Sequence, residues 1–168
     1  RHPTEVAALL AHLRAGAPDH VVDVGGVEVV ALGESLEHGA AEVLGVRPDD
    51  VFVGSPPLAF TFGLGGLAVF PLRFGAAAAL LEQATPANMV DLIQRYKATI
   101  CFTAPTAYRV MLKAMDDGAD LSSLRAAVSA GETLPAPVYE EWRAKTGKPM
   151  LDGIGATEML HIFITNRF

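Results

Sequence analysis

Two glycine-rich stretches near the end of the chain decide its fold. They read Ser129-Ala130-Gly131-Glu132 and Leu151-Asp152-Gly153-Ile154-Gly155-Ala156-Thr157-Glu158-Met159-Leu160-His161. Each follows an apolar run typical of a strand, and the residues between the two stretches have the spacing of a helix. In open α/β sheets built from such units, ligands bind at the carboxyl ends of the strands. The two stretches therefore predict a ligand site at one edge of a parallel sheet.

The alternation of strand and helix begins at Asp50. Apolar runs predict strands over residues 51–54, 76–81, 98–102, 124–128 and 150–154, and helical spacing covers residues 63–70, 85–97, 105–116 and 135–145. Thr85 is expected to cap the second helix, whose core-facing residues would be Met89, Leu92, Ile93 and Tyr96. The pattern predicts an α/β fold, a mostly parallel sheet flanked by helices.

The residues before Asp50 follow a different pattern. Helical spacing covers Thr4 to Arg14 and Ser35 to Leu44, and a Val-rich segment from His20 to Leu32 indicates a hairpin or two short strands. We therefore expect an N-terminal appendage over residues 1–40 and an α/β core over residues 41–168.

Composition restricts the classes of partner. A net charge of −6 argues against a nucleic-acid-binding protein, which would present a basic face. The chain has no run of 18 apolar residues, so no membrane span is expected. The lone Cys101 excludes an internal disulfide and suits a reducing compartment. We expect a cytoplasmic protein that binds neither nucleic acid nor membrane.

Several residues of these stretches are suited to binding a nucleotide. Glycines let a ligand approach the backbone closely, Thr157 can donate to a phosphate oxygen, and Glu158 can bind a divalent cation that bridges phosphates. An ordinary glycine-rich turn is the alternative for this stretch, and a plain strand-to-helix loop is the alternative for Ser129 to Glu132. His161 lies in an apolar run, where a buried structural histidine is the simpler interpretation.

An aromatic segment is the third candidate. The segment Phe60-Thr61-Phe62-Gly63-Leu64-Gly65-Gly66 places aromatic rings beside small residues, which would line a flat apolar pocket or simply pack in the core. Together the three segments resemble the adenylate-forming superfamily of acyl- and aryl-CoA synthetases. The closest likeness is to benzoate- and 2-aminobenzoate-CoA ligases, whose Asp-Gly-Ile-Gly-Ser/Ala-Thr-Glu-Met-Leu-His-Ile-Phe motif nearly matches residues 152–163. The resemblance covers residues 41–168, a part of the family's large N-terminal domain.

The resemblance implies a two-step reaction. A carboxylate attacks the α-phosphate of ATP with help from Mg²⁺, and coenzyme A then displaces AMP from the acyl-adenylate. Thr157 and Glu158 would be catalytic, with Glu158 as the metal ligand. The nucleotide would be bound by Ala130, Gly131, Glu132, Asp152, Gly153, Ile154, Gly155 and Thr157. An aromatic carboxylic acid would occupy an acyl pocket lined by Thr61, Phe62, Gly131 and His161.

The chain also departs from the family pattern. The family's Ser/Thr/Gly-rich phosphate loop ending in Pro-Lys-Gly has no match, since Gly33-Glu34-Ser35 is not such a loop. The family's ribose-binding Asp and catalytic Lys would come after the last residue. These departures predict a central fragment, made by a deletion or a frame break, that binds AMP or an aromatic acid without turnover. An unpaired sheet edge favours a homodimer or poor solubility over a monomer.

Two other functions remain open at this stage. The chain would be a non-catalytic binding or interaction module if the sheet is kept without the chemistry. Val21-Val22-Asp23-Val24-Gly25-Gly26 has the pattern of a methyltransferase cofactor loop, although the Gly-x-Gly that should follow is missing.

Overall fold

The computed structural model describes residues 21–24, 27–30 and 43–166. In this part of the chain six strands form one sheet: β3 (Val51–Gly54), β4 (Ala77–Ala79), β5 (Ile100–Thr103), β6 (Ala126–Ala130), β7 (Met150–Gly155) and β8 (Ile162–Thr165). Their spatial order is β4-β3-β5-β6-β7-β8. All neighbours are parallel except β7 and β8, which are antiparallel. The predicted α/β fold with a mostly parallel sheet is confirmed, and β8 is an addition that the sequence pattern did not predict.

Helices connect the parallel strands. They are α1 (Thr61–Leu64), α2 (Phe70–Phe74), α3 (Pro86–Tyr96), α4 (Pro105–Asp116) and α5 (Ala136–Thr146). A π-helical turn over Gly65–Val69 joins α1 to α2, so this helical segment is longer than the predicted one. As predicted, Thr85 caps α3, because its Oγ1 accepts a hydrogen bond from the Asn88 amide at 3.2 Å.

Helices cover both faces of the sheet. One face packs against α3, α4 and α5 through a core that includes Met89, Ile93, Tyr108, Met111 and Trp142. The other face packs against the segment from α1 to α2 through Phe52, Leu67, Phe70, Phe102 and Leu151. The chain leaves β3 toward β4 on one side and returns to β5 on the other, so the topological switch point lies between β3 and β5.

Two predictions of detail were wrong. Tyr96 is 50% exposed, and Val90 is the α3 residue that is buried beside Met89 and Ile93. The strand predicted over residues 124–128 is Ala126–Ala130, because the hydrogen bonds of Arg125 and Ala126 to the Thr99 carbonyl begin the pairing with β5 there. Both errors arise because apolar spacing alone does not set where a neighbouring element makes contact.

The N-terminal segment contains an antiparallel hairpin of β1 (Val21–Val24) and β2 (Val27–Val30). Of the two alternatives expected for His20 to Leu32, a hairpin or two short strands, the structure has the hairpin. It does not support the methyltransferase interpretation, which needs a loop and a helix after the first strand. The predicted helix Thr4 to Arg14 and most of the predicted helix Ser35 to Leu44 lie outside the described residues, as does the predicted boundary at residue 40.

A buried ion pair holds the amino ends of the central strands. Arg125 donates from Nε to Asp50 Oδ1 at 2.8 Å and from Nη2 to Asp50 Oδ2, and Asp50 is 2% exposed. The Thr99 hydroxyl donates to Asp50 Oδ1 at 2.7 Å. Arg125 also donates to the carbonyl oxygens of Leu44 and Gly45. These contacts join the starts of β3, β5 and β6 at the edge opposite to the strand ends that carry the predicted site.

Helix lengths bear on the expectation that the chain has no membrane span. Within residues 43–166 and the hairpin, no helix combines the length and apolar character that crossing a bilayer requires.

Candidate functional site

The predicted nucleotide-binding residues lie on two adjacent parallel strands. Ser129 of β6 is paired with Asp152 of β7, and Ala130 is paired with Gly153. Gly131 follows β6 with φ of +87°, a conformation that favours glycine, and the space where a side chain would stand is open. The structure therefore brings the two glycine-rich stretches together at one edge of the sheet, with room for a ligand beside Gly131.

Glu132 lies at the start of the loop to α5 and is exposed. Thr106, in the first turn of α4, donates from Oγ1 to Glu132 Oε1 at 3.3 Å. This contact links the loop after β6 to the first turn of α4, which follows β5. The carboxyl ends of three neighbouring strands, β5, β6 and β7, thus form a continuous rim.

The turn between β7 and β8 carries Thr157 and Glu158. Both side chains are exposed on a short 3₁₀ helix, Thr157–Met159. The turn closes with Leu160 at φ of +66°, a left-handed conformation that is uncommon for a residue other than glycine. Ile154, which precedes the turn, is 62% exposed. The turn therefore presents a hydroxyl, a carboxylate and an apolar side chain to solvent.

His161 is buried in an aromatic cluster. Only 5% of the residue is exposed, and its ring lies 5.6 Å from the ring of Phe62, 4.9 Å from Phe70 and 6.0 Å from Phe102. Its Nε2 lies 3.2 Å from the carbonyl oxygen of Phe62. Phe62 and His161, two of the predicted acyl-pocket residues, are thus in direct contact. No hydrogen bond or ring contact among the described residues links Gly131 to either of them.

The histidine is neutral near pH 7. Burial lowers the pKa of His161 to about 4, although its contact with the Phe62 carbonyl acts in the opposite direction. A carbonyl oxygen only accepts hydrogen bonds, so Nε2 of the neutral ring carries the proton and donates it to Phe62. The cluster is therefore an uncharged, largely aromatic wall.

Two buried polar side chains lie side by side at the strand ends. Ser129 is fully buried, and neither its Oγ nor Asp152 Oδ1 reaches a partner with good hydrogen-bond geometry among the described residues. Burial raises the pKa of the Asp152 carboxyl, although the Ser129 side chain and the Leu134 backbone act in the opposite direction. Next to them, at the topological switch point, Ser55 Oγ and Thr103 Oγ1 lie 2.5 Å apart. Sequence reasoning quoted Ser129 but assigned it no role; a serine at the end of the apolar run Ala126-Ala127-Val128 was the signal for this polar row.

On its exposed turn the site offers the Glu158 carboxylate as a ligand for a metal ion. Among the described residues, no group of three or more His, Cys, Asp or Glu side chains could hold a metal. Magnesium at phosphate sites is usually held by one or two carboxylates together with the phosphates themselves. An exposed Glu158 therefore fits Mg²⁺ that arrives with a nucleotide, rather than a metal held by protein side chains alone.

Comparisons of this chain with a family model and with curated relatives point to the same family. The family model described as AMP-binding enzyme matches residues 28–168. A benzoate–CoA ligase of Thauera aromatica is 44% identical over 130 residues, and the match covers 76% of this chain and 25% of the relative. An anthranilate–CoA ligase of Pseudomonas aeruginosa is 34% identical over 130 residues, covering 76% of this chain and 24% of that protein.

A solved structure with the same fold has an adenylate bound. The anthranilate CoA ligase AuaEII in complex with anthranoyl-AMP is 38% identical in sequence and superposes with a TM-score of 0.73. The match covers 89% of this chain and 31% of that one. The chain described here spans about a quarter of the length of the curated relatives it matches.

Proposed function

This chain belongs to the AMP-binding enzyme family, and on that premise we propose that it forms the adenylate- and aryl-binding part of an ATP-dependent ligase. The ligase would activate an aromatic carboxylic acid as its adenylate and transfer the acyl group to coenzyme A. One observation carries the proposal: the rim formed by β6 and β7 is joined, through the turn after β7, to the uncharged aromatic cluster around His161.

The nucleotide would lie along the rim. Gly131 is exposed and has open space beside it, so the edge of a purine would approach the backbone there, between Ala130 and Glu132. On the adjacent strand, Asp152 to Gly155 would border the other side of the base. Two of these residues admit no side chain, since a Cβ on Gly153 would lie 2.6 Å from Ile162 and one on Gly155 would lie 2.8 Å from the His161 carbonyl oxygen. Ile162 and the His161 backbone therefore pack directly against the backbone of β7 at these two positions.

The acid would bind with its ring against Phe62. This side chain is only half-buried, whereas Phe70 and Phe102 behind it are 3% and 1% exposed. A neutral His161 adds no charge to the wall, so a planar uncharged ring is favoured over an acid with a second ionised group. Offset or edge-to-face packing of two rings contributes roughly 1 kcal/mol beyond burial. Thr61 begins the same helix and would lie at the margin of this pocket.

The exposed turn would act on the phosphates. Thr157 would donate its hydroxyl proton to an oxygen of the α-phosphate, and Glu158 would hold Mg²⁺. The metal, when bound, neutralises phosphate charge as the carboxylate approaches. The contribution of the chain is to orient the carboxylate and the α-phosphate in line and to stabilise the charge that develops between them.

Calorimetric titration of the purified chain tests the proposal. We expect saturable binding of AMP and tighter binding of a benzoyl-adenylate analogue that cannot react. Glu132→Ala and Thr157→Ala should each weaken binding about tenfold, the size of one lost charge-assisted hydrogen bond. Glu140→Ala is the matched control, since Glu140 is an equally exposed carboxylate on α5.

The result that contradicts the proposal is a folded sample, judged by circular dichroism, that binds neither ligand. The non-catalytic interaction module would then be the better description. Turnover is a separate expectation: because the sequence has no match to the family's phosphate loop, the chain tested alone should form no benzoyl-CoA from benzoate, ATP and coenzyme A. Sedimentation of the same sample checks the predicted homodimer.

A further inference from the structure

The residues at the end of β8 supply side-chain partners to the backbone of β7. The pairing of the two strands ends at Thr165, which lies opposite Gly153, so the earlier part of β7 has no paired residue on that side within the described residues. Backbone groups of Met150 and Asp152 would lack partners there, and buried backbone groups without partners are costly. The side chains of Thr165 and Asn166 take the place of the missing strand.

Asn166 binds two of these backbone groups at once. Its Oδ1 accepts a hydrogen bond from the Asp152 amide at 2.7 Å, and its Nδ2 donates to the Met150 carbonyl oxygen at 3.1 Å. A carboxamide has an oxygen that only accepts and a nitrogen that only donates, so a single orientation of the side chain satisfies both contacts. The Asn166 side chain therefore does for β7 what the peptide group of a neighbouring strand would do.

Both backbone groups of Asp152 are held by side chains. Its amide donates to Asn166, and its carbonyl oxygen accepts from the Thr165 hydroxyl at 3.2 Å. Thr165 is 8% exposed, so this second contact is shielded from water. On the other side of β7, Asp152 is paired with Ser129 of β6. The backbone that carries the Asp152 carboxyl therefore cannot shift without breaking its contacts with residues 165 and 166.

We propose that Asn166 is a positioning residue of the nucleotide site: its carboxamide replaces a missing strand partner of β7 and so holds the Asp152 carboxylate at the rim. The proposal rests on the proposed function and deepens it, because Asp152 is one of the residues that would border the base. A carboxylate only accepts hydrogen bonds, and the donor that a purine can offer it is an exocyclic amino group. Correct placement of Asp152 should therefore favour a purine with a 6-amino group over one with a 6-oxo group.

The test compares Asn166→Leu with Asn88→Leu in the full chain. Leucine keeps nearly the shape of asparagine but removes its donor and its acceptor, and Asn88 is the matched control because its Nδ2 also donates to a backbone carbonyl, that of Gln83 at 2.9 Å. The probes, titrated by calorimetry, are AMP and inosine 5′-monophosphate, which has a carbonyl oxygen in place of the 6-amino group. We expect Asn166→Leu to lower the affinity for AMP about tenfold and to leave that for inosine monophosphate unchanged. Asn88→Leu should change neither affinity.

The Asp152→Ala background identifies the path of the effect. If Asn166 acts through the carboxylate, Asn166→Leu should not change the ratio of the two nucleotide affinities in that background. Equal losses for both nucleotides in Asn166→Leu, or a change of ratio that persists in the Asp152→Ala background, would overturn the proposal. If Asn166→Leu does not fold, Thr165→Val serves instead: it removes only the hydroxyl that contacts the Asp152 carbonyl, and it should lower the ratio about threefold. An unchanged ratio in Thr165→Val would then overturn the proposal.

A measurement without ligand separates this inference from the proposed function. Burial raises the pKa of the Asp152 carboxyl, so a carboxyl released toward solvent should titrate nearer its ordinary pKa. Carbon NMR titration should therefore give Asp152 a lower pKa in Asn166→Leu than in the wild type, and the wild-type pKa in Asn88→Leu. If the wild type binds neither nucleotide, the proposed function fails and the role in nucleotide selection fails with it, while the titration still decides whether Asn166 positions Asp152. An unchanged pKa of Asp152 in Asn166→Leu would refute the positioning role even if AMP binds.

Discussion

Replacing Arg125 with Met should destabilise the amino edge of the sheet and leave ligand binding at the opposite edge intact. The guanidinium makes two hydrogen bonds to the Asp50 carboxylate and two to backbone carbonyls. Methionine keeps most of the aliphatic side chain but removes every donor. Asp50, which is 2% exposed, would then be a buried carboxylate without its cation.

The free energy of unfolding should fall by an amount at the lower end of the range for broken buried ion pairs. Removing one partner of a buried ion pair typically costs about 3–5 kcal/mol. Asp50 would still accept from the Arg47 amide at 2.8 Å and from the Thr99 hydroxyl at 2.7 Å, and the Arg125 side chain is 24% exposed, so solvent screens part of the charge. We therefore expect about 3 kcal/mol, or a fall in Tm of roughly 6–12 °C for a chain of this size.

The effect should depend on pH in a defined direction. Burial raises the pKa of Asp50, but hydrogen bonds from Arg125, Thr99 and the Arg47 amide together hold it below its usual value. The carboxylate therefore stabilises the wild type fully above its unfolded pKa of about 4, and this stabilisation is lost as the pH falls further. In Arg125→Met, burial dominates and the Asp50 carboxyl takes up a proton on acidification. The difference in unfolding free energy between variant and wild type should therefore narrow below about pH 5.

Urea and thermal unfolding at neutral and acidic pH measure this gap. Arg143→Met is the matched control, because Arg143 is exposed on α5 and its loss should change stability by no more than about 0.5 kcal/mol. A loss of less than about 1 kcal/mol for Arg125→Met, or an equal loss at both pH values, would refute the assigned role of the ion pair. Weakened adenylate binding by the folded variant would refute the division of the sheet into a stabilising edge and a binding edge.

Two further predictions concern the two faces of the sheet. The pKa of His161 is about 4 in the folded chain, below its unfolded value, so the free energy of unfolding should rise by roughly 3 kcal/mol between about pH 4 and pH 6.5. His161→Phe should remove this pH dependence, as measured by urea unfolding across that range. Parallel curves of unfolding free energy against pH for the two proteins would contradict the prediction. The Tyr108 hydroxyl lies 2.8 Å from the carbonyl oxygen of Cys101 and 3.1 Å from that of Val128 inside the core. Tyr108→Phe should therefore lower the free energy of unfolding in urea by about 1–2 kcal/mol without changing adenylate affinity. An unchanged urea midpoint would contradict this prediction.

Local signals account for the parts of the fold that were predicted. Thr85 and Pro86 define the start of α3 because a capping hydroxyl and a proline act within one helical turn. The strand–helix–strand unit from β6 to β7 was predicted because apolar periodicity and two glycine-rich loops lie within one continuous segment. Its register then places Ala130 opposite Gly153, which brings the two predicted nucleotide-binding stretches side by side.

The errors share one cause. Tyr96 has helical spacing with Met89, yet at the last residue of α3 it is 50% exposed, whereas Val90 is buried. The strand β8 was not predicted, because its pairing with β7 depends on a tight turn that ends with Leu160 in the left-handed region, a conformation that nothing in that residue favours. In both cases the deciding contact came from an element that the local pattern does not describe.

The sequence by itself determined the alternation of strands and helices, the glycine positions at the strand ends and the family to which these motifs point. The tertiary structure decided which remote residues meet. His161 donates to Phe62 across 99 positions of the chain, and Asp50 pairs with Arg125 across 75. The strand order β4-β3-β5-β6-β7-β8 places β3 and β6 on either side of β5, where Asp50 and Arg125 meet. Periodicity reports only which face of an element is apolar, whereas contacts between distant residues depend on how the elements are stacked.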